Sequence, residues 1–130
     1  AILLAMGIDT LITEFALKNI ICRDRPCNID FSIKMLVSRP DSYGFPSNHS
    51  ASAFAAATAL LVTLKKKRWA ILGYILATAI ALSRLYVFVH FPSDVLVGAI
   101  VGSLIALLVC FLMKKTGFKE FLIHKNIIER

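Results

Sequence analysis

Lys18, Arg25, Ser47, His49, Ser83, Arg84, His90 and Asp94 punctuate an otherwise apolar sequence with anion-binding, nucleophilic and acid–base chemistry. Three of them are cations, and the two arginines carry planar forks that match the oxygens of a phosphate or a carboxylate. The two imidazoles can attack an electrophile or exchange a proton near neutral pH. Asp94 stands four residues after His90, so its carboxylate can hold one ring nitrogen and leave the other nucleophilic or basic. Cations gathered around two histidines and a carboxylate point to chemistry on an anion, with phosphate favoured. Charged groups in apolar segments are costly and mark functional sites by default.

Each piece taken alone also has a structural reading. Pro46-Ser47-Asn48-His49 reads as a helix start, with Ser47 as N-cap and free backbone N–H groups that either cap an ordinary helix or face an anion. Pro92 suits the first position of a helix, which places Asp94 in the first turn, where a carboxylate is favoured, and His90 just outside. Glu14 and Lys18 are spaced to pair with each other on one helix face, together with Thr10. Lys18 and Arg25, seven apart, share a face if the helix continues to Asp24, where Pro26 ends it. Ser83 lies on the helical face of His90, whereas Arg84 is offset by about 240° and needs its long side chain or a helix break to reach the same place.

The elements that must position these groups are membrane helices. Of 130 residues 58% are apolar and 18% charged, and the mean hydropathy is +0.74, which excludes an ordinary soluble domain. With no linker and no internal repeat, a single membrane-embedded domain over residues 1–130 is expected. Val95 to Met113 is free of charge and long enough to span. A second helix is expected from about Ser47 to Leu64, a third from Trp69 to about Val89, and a less typical one from Ala1 to about Cys22. In that first stretch Asp9, Thr10, Thr13, Glu14 and Lys18 must face the bundle interior or water. Small residues recur at four-residue spacing at Gly73, Ala77 and Ala81 and at Gly98 and Gly102, a pattern for close helix contact.

The formal charge is +7, but no basic face carries interleaved aromatics, so nucleic acid is excluded as a partner. Lys and Arg at 65–68, 114, 115, 119, 125 and 130 outnumber Arg23, Arg25, Lys34 and Arg39 at the opposite end, which orients the former inward and the loops 23–46 and 90–93 outward. His124 reads as a solvated tail residue. Cys22 and Cys27 fall on the outward side, where a disulfide is an open alternative, while Cys110 lies in a span. No cysteine and histidine spacing suggests a metal site, and the chain begins with Ala where a signal peptide is not evident.

Three stretches, Lys18-x6-Arg25-Pro26, Pro46-Ser47-Asn48-His49 and Ser83-Arg84-x5-His90-x3-Asp94, occur in this order over residues 18–94. Together they resemble the signatures of the type-2 phosphatidic acid phosphatase superfamily, which includes bacterial lipid phosphatases, polyprenyl diphosphate phosphatases and vanadium haloperoxidases. The resemblance implies His90 as the nucleophile that forms a phosphohistidine, Asp94 as its orienting partner and His49 as general acid. It assigns Lys18, Arg25, Ser47, Asn48 and Arg84 to the phosphate oxygens and implies neither metal nor cofactor. Asn48 stands where the family usually has Gly. If Gly supplies only a backbone N–H, Asn does the same; if close approach matters, activity falls. Membrane members usually have six spans against the four here, so two N-terminal helices are expected to be missing.

The expectation is therefore an all-α, integral-membrane helical bundle that hydrolyses lipid phosphates or diphosphates without metal at the outer face of the cytoplasmic membrane. Undecaprenyl diphosphate is the favoured substrate, ahead of phosphatidic acid or phosphatidylglycerol phosphate. The alternative is a non-catalytic phospholipid-binding or transport protein that keeps the anion site. A soluble haloperoxidase is at odds with the apolar composition.

Overall fold

The computed structural model describes residues 1–117, and Lys119, His124, Lys125 and Arg130 lie outside them. Residues 2–21 form one rod in three parts: α1 (Ile2–Leu11), a π-helical turn (Ile12–Leu17) and α2 (Lys18–Ile21). The wider turn has a consequence for the polar residues. Thr13 and Lys18 are both buried, yet five residues of uninterrupted α-helix would set them about 140° apart. The π turn rotates Lys18 back toward the interior.

The rod stops at Cys22, which adopts the left-handed conformation at φ 49°. The chain therefore does not stay helical to Asp24, and Lys18 and Arg25 do not share a helix face. Arg25 is instead extended, at the N-cap of a short helix α3 (Pro26–Ile29). Three long helices follow: α4 (Asn48–Thr63), α5 (Arg68–Tyr86) and α6 (Pro92–Lys115). Ser47 caps α4 as expected, and Pro92 opens α6. Helix α5 ends at Tyr86, short of the expected Val89, because Phe88 turns left-handed at φ 60°. Ser83 and His90 consequently do not belong to one helical face. All three described cysteines are free thiols, with Cys22 exposed and Cys27 buried.

Helix α4 is the centre of the bundle, packed against α1, α5 and α6. Its partners approach closely because the buried layer is small: Ala5, Ala55, Ala59 and Ala106, closed off by Val109 and Cys110. Gly98 and Gly102 of α6 lie directly against the α4 backbone at Ser47 and Ala51. Polar groups tie the same faces together. Thr58 and Tyr74 share a hydrogen bond of 2.8 Å between α4 and α5, and Ser52 donates to the buried Asp9 carboxylate at 3.0 Å between α4 and α1.

The large apolar side chains point outward, with Leu3, Phe15, Ile71, Ile75, Leu104 and Phe111 all exposed. A soluble domain would be destabilised by this inversion, whereas lipid removes the penalty and leaves packing of small residues to hold the helices. Helices α5 and α6 are each long and apolar enough to cross a membrane. The protein is an all-α membrane bundle, and no strand occurs among the described residues.

Two glycines separate this packing from mere helix propensity. A methyl group at Gly102 would overlap the Ala51 carbonyl, while at Gly7 it would meet nothing within 4 Å. Gly102→Ala is expected to lower stability by at least about 1–3 kcal/mol through overpacking. Gly7→Ala is expected to be neutral or to gain up to about 1 kcal/mol of helix propensity. Thermal unfolding in detergent distinguishes them; equal shifts for the two variants would refute close α4–α6 contact at Gly102.

Candidate active site

The site forms where the starts of α4 and α6 meet the turn after α2. Ser47 N–H donates to the Asp94 carbonyl at 2.9 Å, which fixes the two helix starts relative to each other. A Cβ at Gly98 would stand 2.5 Å from the Ser47 carbonyl, so this junction depends on glycine. Ser47 and Asp94 are completely buried. The Ser50 hydroxyl donates to Ser47 Oγ at 3.1 Å, and the Ser50 N–H approaches the same oxygen at 3.5 Å.

His90 precedes α6 and is nearly enclosed, with 4% of its surface exposed. Arg25 Nη1 lies 3.1 Å from its Nε2. Because a guanidinium can only donate, Nε2 must offer its lone pair and the ring proton must sit on Nδ1. Nδ1 in turn faces Asp94 Oδ2 at 3.6 Å, too long for a hydrogen bond. Burial, and then the Arg25 charge, push the His90 imidazole down to about 3, against the opposing pull of the Gly44 carbonyl. The ring is therefore neutral at neutral pH, with its lone pair held toward the cations.

Arg25 is itself a buried fork. Its Nε donates to the Ser42 carbonyl at 2.8 Å, its Nη2 to Ser42 Oγ and the Tyr43 carbonyl, and its Nη1 to the Val89 carbonyl at 3.2 Å. Lys18 is buried and pairs with Glu14 at 2.6 Å, so the ion pair legible from the four-residue spacing exists. Those carboxylate contacts do not remove Lys18 from the neighbourhood of the histidine, since its charge acts on His90 together with that of Arg25.

His49 lies exposed in the first turn of α4, and its ring makes no hydrogen bond among the described residues. Asn48 has no left-handed backbone, so the conformational freedom of glycine is not required there. Its side-chain Oδ1 lies 3.5 Å from Ser52 Oγ, one turn farther along α4, and the side chain thus runs along its own helix. Arg84 is the outlier of the set: half-buried near the end of α5, its Nε donates only to the adjacent Ser83 Oγ, at 3.2 Å. The structure thus joins Arg25, His90, Asp94 and Ser47 through direct contacts, with Lys18 behind them, and leaves Arg84 and His49 unengaged.

One member of the cluster escaped the sequence reading. Arg23 Nη1 donates to Asp94 Oδ1 at 2.9 Å and to Ser93 Oγ at 2.7 Å. From sequence it counted only as a cation of the outward loop. Its proximity to Arg25 is the sole signal, and the left-handed turn at Cys22 that aims it at α6 has no marker in residue type. Among the described residues no three or more His, Cys, Asp or Glu side chains gather in a way that could hold a metal ion.

Known proteins are similar to this chain in sequence and fold. The chain is 38% identical over 91 residues to an undecaprenyl-diphosphatase of Sulfolobus acidocaldarius, covering 70% of this chain and 44% of that protein. The crystal structure of a transmembrane PAP2-type phosphatidylglycerolphosphate phosphatase from Bacillus subtilis superposes with a TM-score of 0.66 at 33% identity, covering 88% of this chain and 58% of that one. Aquifex aeolicus LpxE superposes with a TM-score of 0.70 at 30% identity, covering 82% and 63%. The chain spans about half the length of the curated relatives it matches. Since the family profile, PAP2 superfamily, matches residues 1–118, the chain belongs to the PAP2 superfamily.

Proposed function

We propose that the protein is a membrane phosphatase that hydrolyses a lipid phosphate or diphosphate through a phosphohistidine, without a metal. The observation that carries this reading is the His90 ring, whose Nε2 lone pair faces Arg25 while Nδ1 is turned toward Asp94. An incoming phosphate offers better acceptors to Arg25 than an imidazole nitrogen does, so the guanidinium transfers to the phosphate oxygens and frees Nε2. Lys18, Arg84, the Ser47 hydroxyl and the backbone N–H groups of residues 48 and 49 complete the anion site.

Nε2 then attacks phosphorus in line, the bond from phosphorus to the leaving oxygen breaks, which is the lipid oxygen of a monophosphate or the bridging oxygen of a diphosphate, and His49 gives that oxygen a proton. Asp94 stabilises the positive charge that the His90 ring acquires. Water next attacks the phosphohistidine and yields a proton to His49, while the P–N electron pair returns to Nε2. The products are inorganic phosphate and the lipid with one phosphoryl group fewer, an alcohol from a monophosphate or a monophosphate from a diphosphate. The free, exposed position of His49 suits a group that meets only substrate.

Among substrates, undecaprenyl diphosphate is favoured, supported by the activity named for the Sulfolobus relative; the phosphatidylglycerolphosphate phosphatase of Bacillus supports the second choice. Lys65, Lys66, Lys67, Arg68, Lys114 and Lys115 lie at the helix ends opposite the site. By the positive-inside rule the site then faces outward across the cytoplasmic membrane. A non-catalytic lipid-binding role has less support, because it gives His49 and His90 nothing to do.

Phosphate release from undecaprenyl diphosphate and from phosphatidic acid by the full-length protein in detergent tests the reading. His90→Ala is expected to abolish turnover, and a chelator to leave the rate unchanged. His49→Ala is expected to slow a poor leaving group by about 10²–10⁴-fold and a good one much less. Turnover that survives His90→Ala, or equal losses across leaving groups for His49→Ala, would overturn the roles assigned.

The state of the ring can be followed without turnover. A folded-state value near 3, below the 6.5 of an ordinary histidine, means that acid favours the unfolded chain, which takes up a proton that the native ring refuses. The stabilising contribution is present above about pH 6.5 and is lost progressively as pH falls toward 3. In NMR of the phosphate-free protein His90 is expected not to titrate between about pH 8 and 5, and Arg25→Gln is expected to raise its midpoint. A midpoint near 6.5 in the unmodified protein would refute the neutral, cation-facing ring.

A further inference from the structure

Asp94 is fully buried, yet it stands 3.6 Å from the histidine it is expected to orient. Both of its oxygens are already engaged. Oδ2 accepts the Phe91 N–H at 2.8 Å, and Oδ1 accepts Arg23 Nη1 at 2.9 Å. The same Nη1 reaches Ser93 Oγ at 2.7 Å, and the Arg23 guanidinium lies 4.6 Å over the Phe91 ring. The backbone is pinned as well, because the Arg23 carbonyl accepts the Gly44 N–H at 2.8 Å. Arg23 thus ties the turn after α2 to the first turn of α6, from one of the unspecified positions between Lys18 and Arg25 in the first signature stretch.

The contact is chemically consequential because a buried carboxylate has one charge to distribute. With Arg23 on Oδ1, less of that charge reaches His90 Nδ1, and the carboxylate is held in a rotamer that keeps Oδ2 toward the ring. We propose that Arg23 is a positioning residue for the His90 nucleophile, acting through Asp94, whose orientation it fixes and whose charge it shares. This inference rests on the reading of His90 as nucleophile. It predicts that Arg23 governs the reactivity of the ring without touching the phosphate.

The charged groups around His90 are Arg25 from the turn after α2, Lys18 from the rod, His49 from α4 and Asp94 from α6. Removing the Arg23 charge leaves these in place and frees Asp94 to act on the ring. Arg23→Gln is therefore expected to raise the His90 midpoint by about one pH unit. Turnover of the lipid substrate should fall about tenfold in kcat, with KM changed less than about threefold, as for an interaction realised in the transition state. Arg23→Lys, which keeps a charge within reach of Oδ1, should hold the midpoint near that of the unmodified protein.

In an Asp94→Asn background Arg23→Gln should change neither the midpoint nor kcat further, since its route to the ring is gone. An unmoved midpoint, an undiminished Arg23→Gln effect in that background, or a rise in KM with kcat preserved would overturn the proposal; the last would make Arg23 a phosphate ligand. The midpoint is read on the resting protein, so it separates this inference from the phosphatase reading, which stands or falls with the turnover of His90→Ala.

Discussion

The close approach of α6 to α4 at Gly98 and Gly102 is the constraint on which the site depends. It allows the Ser47 N–H to bond the Asp94 carbonyl at 2.9 Å and so joins two helix starts that would otherwise be independent. Each helix start brings its own chemistry: Ser47, Asn48 and His49 with free N–H groups from α4, and His90 with Asp94 from α6. Neither set is a site alone. Side chains larger than hydrogen at Gly98 would separate them, because the Ser47 backbone occupies the space. Helix packing and the geometry of the candidate site are therefore one property of this protein.

Apart from Arg84, the cations around His90 and Asp94 are engaged in the resting site, and the partners differ in what they can yield. Lys18 holds the Glu14 carboxylate, Arg25 holds three carbonyls, a hydroxyl and the His90 nitrogen, and Arg23 holds Asp94. A phosphate arriving here does not meet bare charge; it competes with weaker acceptors. The contact between Arg25 and His90 is the one most readily given up, since a neutral nitrogen accepts less strongly than a charged oxygen. Under the proposed mechanism its surrender would expose the lone pair as the phosphorus arrives, coupling anion binding to nucleophile release.

Arg25, His90 and Asp94, which the structure brings together, were legible in the sequence because membrane depth leaves few reasons for Arg, His or Asp to occur. Helix starts were legible too, since Ser47 and Pro92 act through local chemistry. Helix ends were not. Cys22 and Phe88 take left-handed backbones with no glycine to announce them, and both positions decide where a functional arginine or histidine points. The π turn was equally silent: its residues, Ile12–Leu17, read as ordinary helix, and only the joint burial of Thr13 and Lys18 reveals it. Arg23 was missed for the same reason, because the turn that delivers it to Asp94 is set by tertiary packing.

Asn48 illustrates how a departure from a family pattern can be absorbed. The position is helical, so the torsional freedom of glycine has no use there, and only room for a side chain is at issue. That room exists along α4, where Asn48 Oδ1 lies 3.5 Å from Ser52 Oγ. Ser52 also donates toward Asp9 at 3.0 Å and shares a contact with Thr10 at 3.3 Å. A hydroxyl has a single proton, so these bonds cannot all be donated by Ser52 at once, and the polar cluster must divide its donors among Thr10, Ser52 and the Asn48 amide. The polar residues Asp9 and Thr10 of α1, which a lipid-facing helix would not tolerate, thereby meet Ser52 one turn along α4 from Asn48.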